Sequence, residues 1–166
     1  MRKWISAILI LSVIVAGISS CLKNDNTTPT CTPLTVTAPA SEVATLKAYL
    51  DSNGIVATQD SRGFFYTMDD SGSTDTLHPT ACSDVSVTYT GTFQNGTVFD
   101  STGANSPITF NLSRVIAGWQ EALPLMKGKA TMNLYLPPSL AYGASDYNGI
   151  PGNSYLTFKI KLFAFN

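Results

Sequence analysis

The chain has 166 residues and a formal net charge of −1, with 44% hydrophobic and 13% charged side chains. That length suits one domain with short additions, and the charge balance gives no broad basic field to hold nucleic acid, which is excluded as a partner. The charged share is about half of the roughly 25% usual in soluble domains, leaving a surface rich in Ser, Thr and Asn.

Arg2 and Lys3 open the chain, and Trp4 to Ile18 then run apolar, broken only by Ser6, Ser12 and Gly17. Ser19, Ser20 and Cys21 follow. A charged start, an apolar run and small residues describe an export signal. The run is about 15 residues, short of the ~20 a membrane span needs. The segment resembles a bacterial lipobox, which makes Cys21 the expected lipidation site and residues 1–20 a signal peptide. Several acyl chains on one residue anchor firmly where one chain is marginal. Residues 21–40 are dense in Thr, Pro and Asn and read as a flexible tether.

Residues 41–62 form an expected helical lead-in. Ser41 is the expected N-cap, Glu42 suits the positive end of the dipole, and Val43, Leu46, Tyr49 and Leu50 share a face. Asn53-Gly54 supplies the stop. From Gly63 the hydrophobic period becomes two. Gly63–Met68 reads as a strand, Asp69–Ser73 as a turn, and Val85–Phe93 as a strand ended by the hairpin signal Asn95-Gly96. Val98-Phe99 resumes a strand, and Ile108, Phe110 and Leu112 alternate again. Val115–Leu123 is a brief helical patch ended by Pro124. Alternation returns at Ala130–Leu136 and Leu156–Leu162. The sum is an α+β arrangement, an antiparallel sheet with a short helix packed on it.

With Cys21 lipidated, Cys31 and Cys82 remain, either paired as a disulfide or as two free thiols. The single histidine, His78, has no partner ligand at metal spacing, so no metal or cofactor is expected. No nucleophile and base are placed for a triad.

The segment from about Asp84 to Phe163 carries Tyr89-Thr90-Gly91, Phe99-Asp100-Ser101 after the Asn-Gly turn, Val115-Ile116-Ala117-Gly118-Trp119 and Ala141-Tyr142-Gly143. In this order and spacing the set resembles the FKBP family of peptidyl-prolyl cis/trans isomerases. The resemblance implies that residues 63–166 form an antiparallel half-barrel sheet wrapped around one short helix, with an apolar pocket between them. It implies a catalytic set of Asp100, Tyr142, Trp119 and Ile116. Trp119 would be the floor under the proline ring, the Ile116 N–H and Tyr142 hydroxyl would donate to substrate carbonyls, and Asp100 would sit at the rim. Tyr89, Phe99, Val115, Phe158 and Ile108 would contact substrate, with Ile108 standing where the family often has a pocket aromatic. The implied partners are proline-containing polypeptides, with macrolides of the FKBP type as further ligands. The expected activity is isomerisation during folding of exported proteins, and the alternative is a non-catalytic proline-binding module or chaperone. The anchor at Cys21 places the protein in the cell envelope, at the outer membrane on its periplasmic or surface face.

Overall fold

The computed structural model describes residues 32–166, so the predicted signal segment, Cys21 and Cys31 lie outside the described residues. Cys82 is disulfide-bonded. No helix among the described residues is long and apolar enough to cross a membrane. Residues 32–39 have no regular structure, yet their end is pinned to the domain. The Val36 N–H donates to Glu121 Oε1 at 2.6 Å, and the Ala38 N–H donates to the Arg62 carbonyl at 2.8 Å.

Helix α1 spans Ala40–Ser52 and is preceded by Pro39, not by the expected cap Ser41. The reason is local. Pro39 is extended, at φ −56° and ψ 142°, and its carbonyl accepts the Glu42 and Val43 N–H groups at 3.0 and 3.1 Å. Ser41 therefore falls inside the first turn, where its carbonyl accepts the Thr45 hydroxyl. Glu42 reaches out of the helix and accepts the Ser139 N–H at 3.0 Å.

Seven antiparallel strands follow: β1 Thr58–Gln59, β2 Phe65–Asp70, β3 Asp84–Phe93, β4 Val98–Ser101, β5 Ile108–Asn111, β6 Thr131–Leu136 and β7 Leu156–Phe165. Their order is β1-β2-β6-β7-β3-β4, with β5 also on β3. One edge of β3 thus takes two partners in succession, β5 along Asp84–Val87 and β4 along Thr90–Thr92. The predicted turn at Asp69 begins later, because Asp69 and Asp70 still belong to β2. Asn133 Nδ2 donates to both Thr67 Oγ1 and Asp69 Oδ1, at 2.9 and 2.8 Å, and so extends the pairing of β2 with β6.

Successive strand residues face opposite sides, and both sides are used. Met132, Leu134 and Leu136 of β6 join Val85, Val87, Phe158, Ile160 and Leu162 in the main core around the short helix α2, Ala117–Ala122. Phe65 and Tyr135 point the other way and pack with Leu46 and Leu50 of α1. Pro124 does not end the helical stretch as expected. It lies in a 3-10 turn, Leu123–Leu125, that continues α2, since proline is tolerated in the first turn of such a segment.

Glu121 is the strained charge of this core. It is 3% exposed, its Oε2 has no hydrogen-bond partner among the described residues, and that atom lies 3.9 Å from Arg62 Nε. Arg62 is itself clamped by Asp60, with contacts of 2.7 and 2.9 Å. Burial pushes the Glu121 carboxyl above its ordinary value, against the opposing pull of the Val36 N–H and Arg62. A folded pKa above the unfolded one means stability present at low pH and lost as pH rises through the folded value. Glu121→Gln removes that loss. The stability of the variant minus that of the wild type is expected to be larger at pH 7 than at pH 4 in urea titrations. A difference that does not change with pH would contradict this.

Candidate binding pocket

The concave face of the sheet and α2 enclose a cavity of about 570 Å³. Its floor is the indole of Trp119, only 4% exposed. The ring meets Tyr89, Phe158 and Phe110 edge-on, with centroids 5.2, 5.5 and 5.9 Å away. Such T-shaped pairs suit the ring quadrupoles. Two glycines set this packing. A Cβ on Gly118 would lie 2.4 Å from Leu136 Cδ2, so glycine lets α2 lie flush on β6. A Cβ on Gly91 would lie 2.5 Å from Phe99 Cζ, so glycine leaves room for the wall formed by Phe99 and Phe158. Those two rings are perpendicular with centroids 5.6 Å apart.

Val115 and Ile116 come from the extended link between a 3-10 turn, Leu112–Arg114, and α2. Asn111 caps that turn, accepting the Ser113 N–H, and the buried Leu112 anchors it. Gln120 Nε2 donates to the Val115 carbonyl at 2.8 Å, which fixes the link from below. The Ile116 carbonyl accepts from Trp119 and Gln120, while its own N–H makes no hydrogen bond among the described residues.

At the rim the Tyr89 hydroxyl donates to Asp100 Oδ2. Burial and the bond to Asp100 push the Tyr89 hydroxyl far above its ordinary pKa, so it remains a donor throughout the neutral range. Tyr142 lines the same cavity. Its hydroxyl is also pushed up, mainly by burial and further by Tyr147 and Asp100, and it makes no hydrogen bond among the described residues. A protonated, unengaged hydroxyl beside an apolar floor can donate to a ligand carbonyl.

The cavity therefore brings together Tyr89, Phe99, Asp100, Val115, Ile116, Trp119, Tyr142 and Phe158. Ile108 does not join them. It is the first residue of β5, pairs with Val87 and is 38% exposed. Phe110 supplies the aromatic wall instead and lines the cavity. Residues i and i+2 share a strand face, so an offset of two leaves the alternating pattern unchanged and conceals which of the two is the wall.

Sequence reasoning also missed Arg114, Asn148 and Ile150 as lining residues. The signal for the last two is Asn148-Gly149. Both residues have positive φ, +45° and +85°, and Tyr147 and Ile150 exchange backbone bonds of 2.9 and 2.8 Å across them. That is the geometry of a two-residue hairpin turn. The turn holds Tyr147 stacked on Tyr142, with centroids 4.7 Å apart and an interplanar angle of 14°. His78 lies in an exposed loop. No cluster of three or more His, Cys, Asp or Glu able to hold a metal exists among the described residues.

Comparison with known proteins agrees with this geometry. Residues 76–163 match the model of the FKBP-type peptidyl-prolyl cis-trans isomerase family. The chain is 48% identical over 88 residues to peptidyl-prolyl cis-trans isomerase Mip of Coxiella burnetii, covering 52% of this chain and 38% of that protein. It is 42% identical over 123 residues to the outer membrane protein MIP of Legionella longbeachae, covering 70% of this chain and 51% of that one. It thus spans about half or less of these relatives. The crystal structure of FkpA from Escherichia coli superposes with a TM-score of 0.67 at 32% identity, over 76% of this chain and 60% of that one. An open antiparallel sheet around a short helix, an aromatic pocket floored by Trp119 and a family match over more than half of the chain lead to one assignment: the protein belongs to the FKBP-type peptidyl-prolyl cis-trans isomerases.

Proposed function

We propose that the chain is an active peptidyl-prolyl isomerase that assists the folding of exported proteins. The observation that carries this reading is the joint presence of a buried aromatic floor and two unengaged donors, the Tyr142 hydroxyl and the Ile116 N–H, around one cavity. The amide resists rotation by ~18–20 kcal/mol because planarity is resonance-stabilised. At the twisted midpoint that resonance is lost and the amide is less polar. An apolar pocket therefore favours the twisted form over the planar one, which is selective binding of the transition state. Trp119, Phe99, Phe110 and Phe158 exclude water from the proline ring. Tyr142 and Ile116 hold the flanking carbonyls, and Asp100, tied to Tyr89, fixes the rim. No nucleophile or proton relay takes part. Macrolides of the FKBP-ligand type would occupy the same walls.

Cys21 is proposed as the lipid-bearing residue, with residues 21–35 as a tether to the domain. The apolar run before Cys21 supports this, as does a relative that is an outer membrane protein. Cys31 is the proposed partner of the disulfide-bonded Cys82. The alternative of a binding module without turnover had its support in a thinned wall at Ile108, and Phe110 fills that wall.

Uncatalysed X-Pro bonds isomerise over tens to hundreds of seconds. The full chain is expected to shorten that relaxation for a short X-Pro peptide at micromolar protein. A folded chain that leaves the relaxation unchanged would overturn the reading.

A further inference from the structure

Arg114 stands at the mouth of the pocket, and nothing in the mechanism above uses it. It is the last residue of the capped 3-10 turn, immediately before Val115 and Ile116. Its side chain is exposed and lines the cavity. The only other charged side chain of that lining is Asp100, whose carboxylate is engaged by the Tyr89 hydroxyl. Arg114 makes no hydrogen bond or ion pair among the described residues, as is also true of Lys127, Lys129 and Lys161, and it differs from those lysines in lining the cavity. An exposed guanidinium without a partner in the lining of the cavity is available to a group that enters it.

We propose that Arg114 is a specificity residue that favours substrates with an acidic side chain immediately next to the proline. This rests on the isomerase reading. With the proline ring over Trp119, the neighbouring side chain must leave the pocket through its rim, where Arg114 presents a planar fork suited to a carboxylate. The aromatic walls exclude water on one side, which strengthens the attraction beyond that of a fully exposed pair. Because the rim is open to solvent on the other side, the effect is modest and sensitive to salt.

The test compares peptides that differ only in Glu or Gln next to proline, one pair with the change before it and one pair after it. The two side chains have nearly the same shape and differ in charge. The quantity read is the ratio of kcat/KM for Glu over Gln within each protein, so any general loss of activity in a variant cancels. For the full wild-type chain at low ionic strength the ratio is expected to be about two to five in one of the two pairs. It is expected to fall toward one in 0.5 M salt and in Arg114→Gln, and below one in Arg114→Glu. A wild-type ratio near one in both pairs, alongside clear turnover of the Gln peptides, would overturn the inference and leave the isomerase reading intact. A ratio that survives Arg114→Gln would also overturn it. Turnover of none of the peptides would sink the isomerase reading, and this inference with it.

Discussion

Trp119→Ala is expected to cost the domain about 3–5 kcal/mol, the range for truncating a buried aromatic, and to remove the pocket with it. Helix α2 has six residues, far below the ~12–15 at which a helix holds itself in water. It persists because Trp119 locks it to three rings from β3, β5 and β7 at once. Gly118, pressed on Leu136, leaves it no second way to sit. Deleting the indole takes away both the transfer free energy and the edge contacts, each worth about 0.5–1.5 kcal/mol beyond burial. Small domains have only about 5–15 kcal/mol in total, so the urea midpoint by circular dichroism is expected to fall steeply. Trp119→Phe keeps a ring in the same place and is expected to lose less. Under conditions where the alanine variant is still folded, its kcat/KM is expected to drop at least about tenfold, equivalent to ~1.4 kcal/mol of lost grip on the twisted amide. An alanine variant with an unchanged midpoint would show that α2 is held by something other than this ring.

The longer strands were legible from residues alone, and the pocket through the family resemblance. Strands β3 and β7 announce themselves because one face of each is the more buried, so Val85 and Val87 alternate with Ser86 and Thr88. The floor and most walls came from the family resemblance, whose motifs include Gly91 and Gly118, and the structure shows that a Cβ at either would collide. What escaped was information the pattern does not hold. A two-residue offset along β5 changes no parity, so Ile108 was expected where Phe110 stands. Ser41 looked like a cap because its side chain suits one, but Pro39 enforces an extended backbone just ahead and starts the helix earlier. The burial of Glu121 depends on a contact with Val36, 85 residues away in sequence, and no local rule reports such a contact. Arg114 is ordinary as a residue type. Only the fold shows that it faces a cavity and lacks a partner.

The sharper test of the rim is the pair Asp100→Asn and Tyr142→Phe, alone and together. Asp100 is exposed at its strand edge, so its replacement is expected to leave stability within about 0.5 kcal/mol, as for most surface changes. Its effect should appear in turnover. Asparagine keeps the shape but not the charge, and so weakens the bond from Tyr89, whose ring borders both Trp119 and Phe158. That bond is present in the free protein, so its weakening counts in turnover through how well the rim is held for the twisted amide, and kcat/KM is expected to fall roughly tenfold. Tyr142→Phe removes one neutral donor, worth about 0.5–1.5 kcal/mol, and is expected to cost roughly threefold to tenfold. The double variant separates two mechanisms. If Asp100 and Tyr142 hold different parts of the twisted amide, their losses multiply. If Asp100 acts only by positioning Tyr142, the double variant is no slower than the worse single. The structure favours multiplication, because Asp100 bonds Tyr89 while Tyr142 is braced by its stack on Tyr147. Stopped-flow relaxation of a single X-Pro peptide with the four proteins decides between them. Singles that both match the wild type would remove Asp100 and Tyr142 from the chemistry and leave the aromatic walls alone to carry it.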